Sequence, residues 1–170
     1  DAARRVTPRS GYQFLSSHYR CHPDIINFAN SAHWYDDRLK VFTEVERLKR
    51  PDFWKRGIEW DQVDSQMVED SPKGYYLRNE VERTINIVHE LLETRQYQGT
   101  VGVVCPFRGM ADLIRDGVDR RVHHRLIQSA DFEAQTAHGF QGDERDVIIY
   151  AMAVHPDMPR GARWFVAENR

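Results

Sequence analysis

Two polar stretches hold most of the residues that could do chemistry. The first, Ser16-Ser17-His18-Tyr19-Arg20, sits between an expected strand and a helix start. An arginine there can point a bidentate fork at a phosphate or a carboxylate, and an ordinary surface ion pair is the plain alternative. The second, Thr136 to Arg145, is polar, carries Gly139 and Gly142, and runs straight into the apolar, β-prone segment Val147 to Val154. A glycine-bearing polar turn against a strand is a common way for α/β proteins to present ligand-binding groups at the edge of a sheet. A surface turn leading into a core strand, covered on both faces, is the plain alternative.

Other chemistry is thinly represented. The phosphate-cradling loop G-x-x-x-x-G-K-[ST] is absent, as are G-x-G-x-x-G, G-x-S-x-G and H-E-x-x-H. His18, Cys21 and His22 crowd together, but no second pair of ligands follows at a spacing that would complete a zinc site. No metal site is expected, and His123-His124 reads as a solvated pair.

These stretches must be held by a fold, and 170 residues with 41% hydrophobic and 29% charged content fit one domain spanning 1–170. The formal charge of −2 argues against a large electrostatic footprint on nucleic acid carried by this chain alone. No apolar run nears the roughly 20 residues that span a bilayer, so no membrane partner is expected. The opening DAARRVTPRSG is not read as a signal peptide. Cys21 and Cys105 fit no secreted disulfide framework, which points to a reducing, cytoplasmic setting.

Periodicity supplies the elements. Strands are expected at Tyr12–Leu15, Ile58–Val63, Thr100–Cys105, Leu126–Ser129, Val147–Val154 and Trp164–Ala167. His22-Pro23-Asp24 starts a helix over about 23–35, with Ile25, Phe28, Ala29, Ala32, Tyr35 and Leu39 on one apolar face. Asn79 and Glu82 resemble a capping pair ahead of a helix with the buried stripe Val81, Ile85, Val88 and Leu92. Pro106 ends a strand, and a further helix turns Phe107, Met110, Ala111, Ile114 and Val118 inward. Alternating strands and helices predict an α/β domain with a mostly parallel, helix-flanked sheet.

Three ordered segments carry a family resemblance. LSSHYRCHPDIINFANSAHWYDDRL resembles motif IV of superfamily 1 helicases of the Upf-like group, matching at Leu15, Tyr19, Arg20, His22, Pro23, Ile26, Phe28, Tyr35 and Leu39. VGVVCPFRGM resembles the segment that follows it in that family, and TAHGFQGDERDVIIYAMAV resembles motif V. His18 stands where the family usually has glutamine, Cys21 where methionine is common, and Gly109-Met110 where alanine-glutamine is often seen. RWFVAENR is similar to the lead-in to motif VI, so the resemblance implies a fragment truncated before that motif.

The resemblance implies the second, C-terminal RecA-like domain of a two-domain ATP-driven motor, with a P-loop NTPase fold that lacks the Walker A loop itself. Its cofactors would be ATP and Mg2+, the metal held by the N-terminal RecA-like domain of the same polypeptide. Arg20 would be an arginine finger at the γ-phosphate and the catalytic residue of this chain. Glu144 would bond the ribose, flanked by Gln141 and Gly142, while Thr136 and His138 would face the backbone of single-stranded DNA or RNA. Asp146 reads as orienting the turn. The remaining alternatives are an inert RecA-like protein-interaction module and a single-strand-binding module that works without ATP.

Overall fold

The computed structural model describes residues 14–70 and 74–168. The chain divides into two compact units, one of Asp1–Leu48 with Lys55–Glu59 and one of Lys49–Trp54 with Trp60–Arg170. Among the described residues no helix is long and apolar enough to cross a membrane.

In the first unit, β1 (Ser17–His18) pairs in parallel with β2 (Lys40–Val41), and α1 (Pro23–Ala29) with a following π turn (Asn30–Trp34) connects them. Pro23 occupies the first turn, where its missing N–H is not needed, and the His22 ring accepts the Asp24 amide hydrogen at 3.2 Å. The loop back to β2 is fixed by Asn30, whose side chain bonds both the amide and the carbonyl of Leu39, at 3.1 and 3.3 Å. The helix expected over 23–35 is present, but its apolar face is not buried. Phe28 is 64% exposed, and no residue of α1 is buried. Of the strand expected at Tyr12–Leu15, Tyr12 and Gln13 lie outside the described residues; Phe14 and Leu15 are not in a strand, which begins at Ser17. Ile58–Val63 forms no strand either.

The second unit holds the core. An antiparallel pair, β3 (Met67–Asp70) and β4 (Gly74–Leu77), leads into α2 (Arg78–His89), which runs on through a π turn at Glu90–Thr94. Then follow β5 (Val101–Cys105), α3 (Arg108–Arg121), α4 (His124–Ser129), β6 (Glu133–Thr136), β7 (Val147–Tyr150) and α5 (Arg160–Arg163) with a π turn at Trp164–Glu168. The sheet order is β6-β5-β7, all parallel.

Strand alternation decides where the core lies. Val101, Val103 and Cys105 share one face of β5 and are fully buried with Ala134 of β6, against Val81, Ile85 and Val88 of α2, Leu91 and Leu92 of the π turn that continues it, and Met110, Ala111, Ile114 and Val118 of α3. Each such fully buried aliphatic side chain contributes roughly 1.5–3 kcal/mol. The stripe read from sequence spacing on α2 is therefore the stripe that packs. Its proposed cap is not: α2 begins at Arg78 without a side-chain cap from Leu77, Asn79 bonds the Asp64 carbonyl, and Glu82 pairs with Arg121 of α3. The Asn79 amide instead finds the Ser65 hydroxyl at 3.1 Å.

Three strand expectations fail for local reasons. Leu126–Ser129 lies in α4, which the His123 ring caps by accepting the Arg125 amide hydrogen; four residues are too few for apolar spacing to separate strand from helix. Trp164–Ala167 lies in a π turn that continues α5. Val147–Val154 is a strand only as far as Tyr150, and it is not covered on both faces. Ile148 and Tyr150 are 48% and 57% exposed, while Val147 and Ile149 pack against the core.

The connections explain that open face. From β5 the chain reaches β6 through α3 and α4 on the core side; from β6 it reaches β7 on the other side of β5 by the ten residues 137–146 alone. The two crossings step in opposite directions on opposite faces, so they share one hand, as crossover chirality demands. The second face of the sheet thus carries a loop instead of a helix.

Candidate functional site

Arg20 belongs to the first unit, and Thr136, His138, Gln141, Gly142 and Glu144 belong to the second. Arg20 is exposed, on a short turn between β1 and α1. That turn is pinned at both ends. At its start, the His18 carbonyl accepts the Phe42 amide hydrogen at 2.7 Å, and the Tyr19 ring stacks on Phe42 with centroids 5.5 Å apart. At its end, the Cys21 amide donates to Nε2 of His18 at 2.8 Å, while the Cys21 carbonyl accepts from the Thr43 hydroxyl at 2.7 Å. Burial first, and the Arg20 charge second, hold the His18 imidazole below its ordinary value. Sequence reasoning noted His18 as an atypical residue and missed this bond.

In the second unit Thr136 closes β6, paired with Cys105 at the last rung of β5, and Val147 pairs with Val101 at the first. The loop between them therefore runs the length of the strand, roughly 13 Å at about 3.3 Å per residue. Its first part is a tight turn: the Thr136 carbonyl accepts the Phe140 amide at 3.0 Å, and the Asp143 amide returns to the Phe140 carbonyl at 3.1 Å. Gly142, at φ +94°, supplies the left-handed residue that this return requires. The structure brings Thr136, His138 and Gln141 together in this turn, with the Gln141 amide on the His138 carbonyl at 3.4 Å. His138, Gln141, Gly142 and Glu144 are exposed and Thr136 is half-buried. Glu144 falls nearer the other end, beside the loop's anchor.

That anchor was not legible from motifs. Phe140 is buried outside the main core, on the second face of the sheet, over Gly102 of β5. A Cβ at position 102 would stand 2.5 Å from the Phe140 ring tip, so the glycine is what lets the ring lie down there. Over the ring sits the Arg145 guanidinium, 5.6 Å from the centroid. The Arg145 side chain is only 8% exposed; it donates to the carbonyls of Asp131 (2.8 Å) and Glu144 (2.9 Å) and pairs with the Asp131 and Glu133 carboxylates at 3.2 and 3.5 Å. Asp146 completes the anchor. Its carboxylate accepts from the amide and hydroxyl of Thr100 at 2.8 and 3.0 Å, and its own amide donates to that hydroxyl at 2.9 Å. Asp146 orients the turn, as its position suggested.

One more residue acts at long range. Glu80, in the first turn of α2, accepts the amides of Met152 and Ala153 just past β7, at 2.8 and 3.0 Å. Ala153 adopts φ +55°, a conformation uncommon outside glycine. Burial raises the Glu80 carboxyl above its usual range, and the two amides pull it partly back. Burial also pushes the Cys105 thiol up to about 12, so it is a packing group without nucleophilic character. Among the described residues, no three His, Cys, Asp or Glu side chains gather as a set that could hold a metal ion.

Comparison with known proteins finds relatives of this sequence. A family described as the AAA domain matches residues 3–169. The chain is 30% identical to the helicase Sen1 of Schizosaccharomyces pombe over 145 residues, covering 81% of this chain and 8% of that protein. It is 26% identical over 153 residues to an uncharacterised ATP-dependent helicase of Methanocaldococcus jannaschii, covering 79% of this chain and 21% of that protein. The chain thus spans a small part of the length of both relatives.

Proposed function

Since the chain belongs to the AAA domain family, as a superfamily 1 helicase-type domain of the Upf-like group, we propose that it is the C-terminal motor domain of an ATP-dependent DNA or RNA helicase. The observation that carries the reading is the loop 137–146. It crosses the sheet's second face from the last rung of β5 to the first and exposes polar groups at both ends. On this reading Thr136 and His138 bond the phosphodiester backbone of a single strand without reading bases, as a translocating motor requires. Glu144 accepts from the ribose hydroxyls, with Gln141 and Gly142 beside it.

Residues 1–170 act on this reading as one RecA-like domain. An exposed, planar guanidinium on a pinned turn fits the nucleotide's terminal phosphate, and Arg20 stabilises charge as that group departs. Bound ATP would supply the phosphoryl group whose transfer drives the cycle, and the carboxylates for Mg2+ would come from an N-terminal RecA-like domain of the same polypeptide. Phe140 and Arg145 hold the loop on the sheet, so a shift at one end reaches the other through a fixed seat.

The test is made in the full-length protein. Arg20→Ala is expected to lower ATP turnover by about 10³-fold or more while single-strand binding survives. Glu144→Ala is expected to weaken nucleotide binding by roughly 10- to 100-fold, the worth of one hydrogen bond to a charged group. Unchanged turnover in the first variant removes Arg20 from the site, and unchanged nucleotide affinity in the second removes the ribose contact.

A further inference from the structure

The turn that carries Arg20 is closed by a side chain that titrates. Of the three bonds described for that turn, two come from the segment just after β2, through Phe42 and Thr43, and join groups that do not titrate. The third is the Cys21 amide donating to Nε2 of His18 at 2.8 Å, which spans Tyr19 and Arg20 directly. A ring nitrogen accepts a hydrogen bond only when it carries no proton, so this closure exists only for the neutral imidazole with its hydrogen on Nδ1. We infer that His18 is a positioning residue for Arg20, holding the arginine's turn in its working conformation when neutral and releasing it when protonated.

The charges around the ring favour the neutral state. Arg20 is on the turn itself, Lys40 lies on β2 opposite Ser17, and Asp24 opens α1, its amide bonded to the neighbouring His22 ring. Of these, Arg20 acts on His18, and it acts in the same direction as burial, against the proton. The linkage is reciprocal: an imidazolium at position 18 would lose the Cys21 bond and repel the guanidinium two residues on. Glutamine, usual here in the resembling family, has an amide oxygen that can accept the same N–H at any pH. The histidine keeps the bond and adds a proton dependence.

The inference rests on Arg20 acting at the terminal phosphate, and the experiment separates the two. ATP turnover of the full-length protein is measured against pH for the unaltered protein, His18→Gln, His18→Ala and Arg20→Ala. The His18 titration is read by NMR in protein labelled with [13C]histidine, its resonance assigned by loss in His18→Gln. The expected result is an acid limb in kcat, with the KM for ATP moving less than about twofold, whose midpoint coincides with the His18 titration. One pH unit below that midpoint the unaltered protein should be about tenfold slower than at its plateau. His18→Gln should lose that limb, and His18→Ala should be slow and flat across the range. Parallel profiles for the unaltered protein and His18→Gln, with Arg20→Ala strongly impaired, overturn the positioning role alone. Full turnover in Arg20→Ala overturns the phosphate role and this inference with it. If His18→Gln does not fold, the resonance is assigned by its loss in His18→Ala, the coincidence of midpoints in the unaltered protein then decides, and a mismatch refutes the proposal.

Discussion

Replacing Gly102 by alanine tests how the candidate site is held, because one methyl group lands on its central contact. The backbone of Gly102 lies outside the left-handed region, so an L side chain is permitted by φ. The new Cβ would meet Phe140 Cζ at 2.5 Å, Ile148 Cδ1 at 2.9 Å and Arg145 Cγ at 3.0 Å. The isoleucine methyl can swing toward solvent, since Ile148 is 48% exposed. The phenylalanine ring is enclosed and cannot. Forcing an extra carbon into a packed contact costs roughly 1–3 kcal/mol, and losing a glycine from the unfolded chain returns about 0.4–1 kcal/mol. The net loss is about 1–2 kcal/mol, or about 2–8 °C in Tm for a chain of this size. Shortening the ring in Phe140→Leu removes the atom that clashes. In a double-mutant cycle followed by urea denaturation, Gly102→Ala should therefore cost at least about 1 kcal/mol less in the Phe140→Leu background. Additive costs, within about 0.5 kcal/mol, would refute the claim that Gly102 is there to seat Phe140.

Two further outcomes follow from the same geometry. Arg145→Ala should destabilise the chain by roughly 2–4 kcal/mol in thermal or urea unfolding, because it strips partners from two carbonyls and two carboxylates. Arg145→Lys should recover less than half of that, since an ammonium cannot serve the same fork and ring together; full recovery by lysine would show that charge alone matters. For Glu80 the folded carboxyl is raised by burial, so its contribution is full at pH below its unfolded value and is lost as pH climbs through the raised folded value. Stability of the unaltered protein relative to Glu80→Gln should therefore improve as pH falls from neutrality toward 4.5; a difference that stays level across that range would contradict the shift.

Where a signal was local and long, the sequence carried it. The stripe Val81, Ile85, Val88, Leu92 and the run Val101–Cys105 each repeat over enough residues to define a period, and both pack as their periods require. Leu126–Ser129 is too short for any period, and its helix is fixed by a capping ring and by the turn at Ala130. The site divides along the same line. Thr136, His138, Gln141, Gly142 and Glu144 were singled out through a motif resemblance, and they lie at the end of β6 and along the loop that follows it. Arg145 and Glu80 were missed because their partners lie 14 and 72 residues away in the chain, beyond any local pattern. Gly102 did leave a trace, being a lone glycine inside an apolar strand, which commonly marks a close approach by another group.

The length of the loop 137–146 has a mechanical consequence. Its ends sit on strands flanking β5, at opposite ends of that strand, roughly 16 Å apart from strand rise and spacing. Eleven peptide steps reach more than about 35 Å when drawn out, so the segment is slack by more than half. A slack tether cannot pull. Whatever passes along it must pass as compression through its stiff points, the Phe140 ring on Gly102 and the Arg145 and Asp146 anchors. Between those points, the stretch around Gly142 is the least hemmed in, with nothing but its chain neighbours within 4 Å of where its side chain would begin.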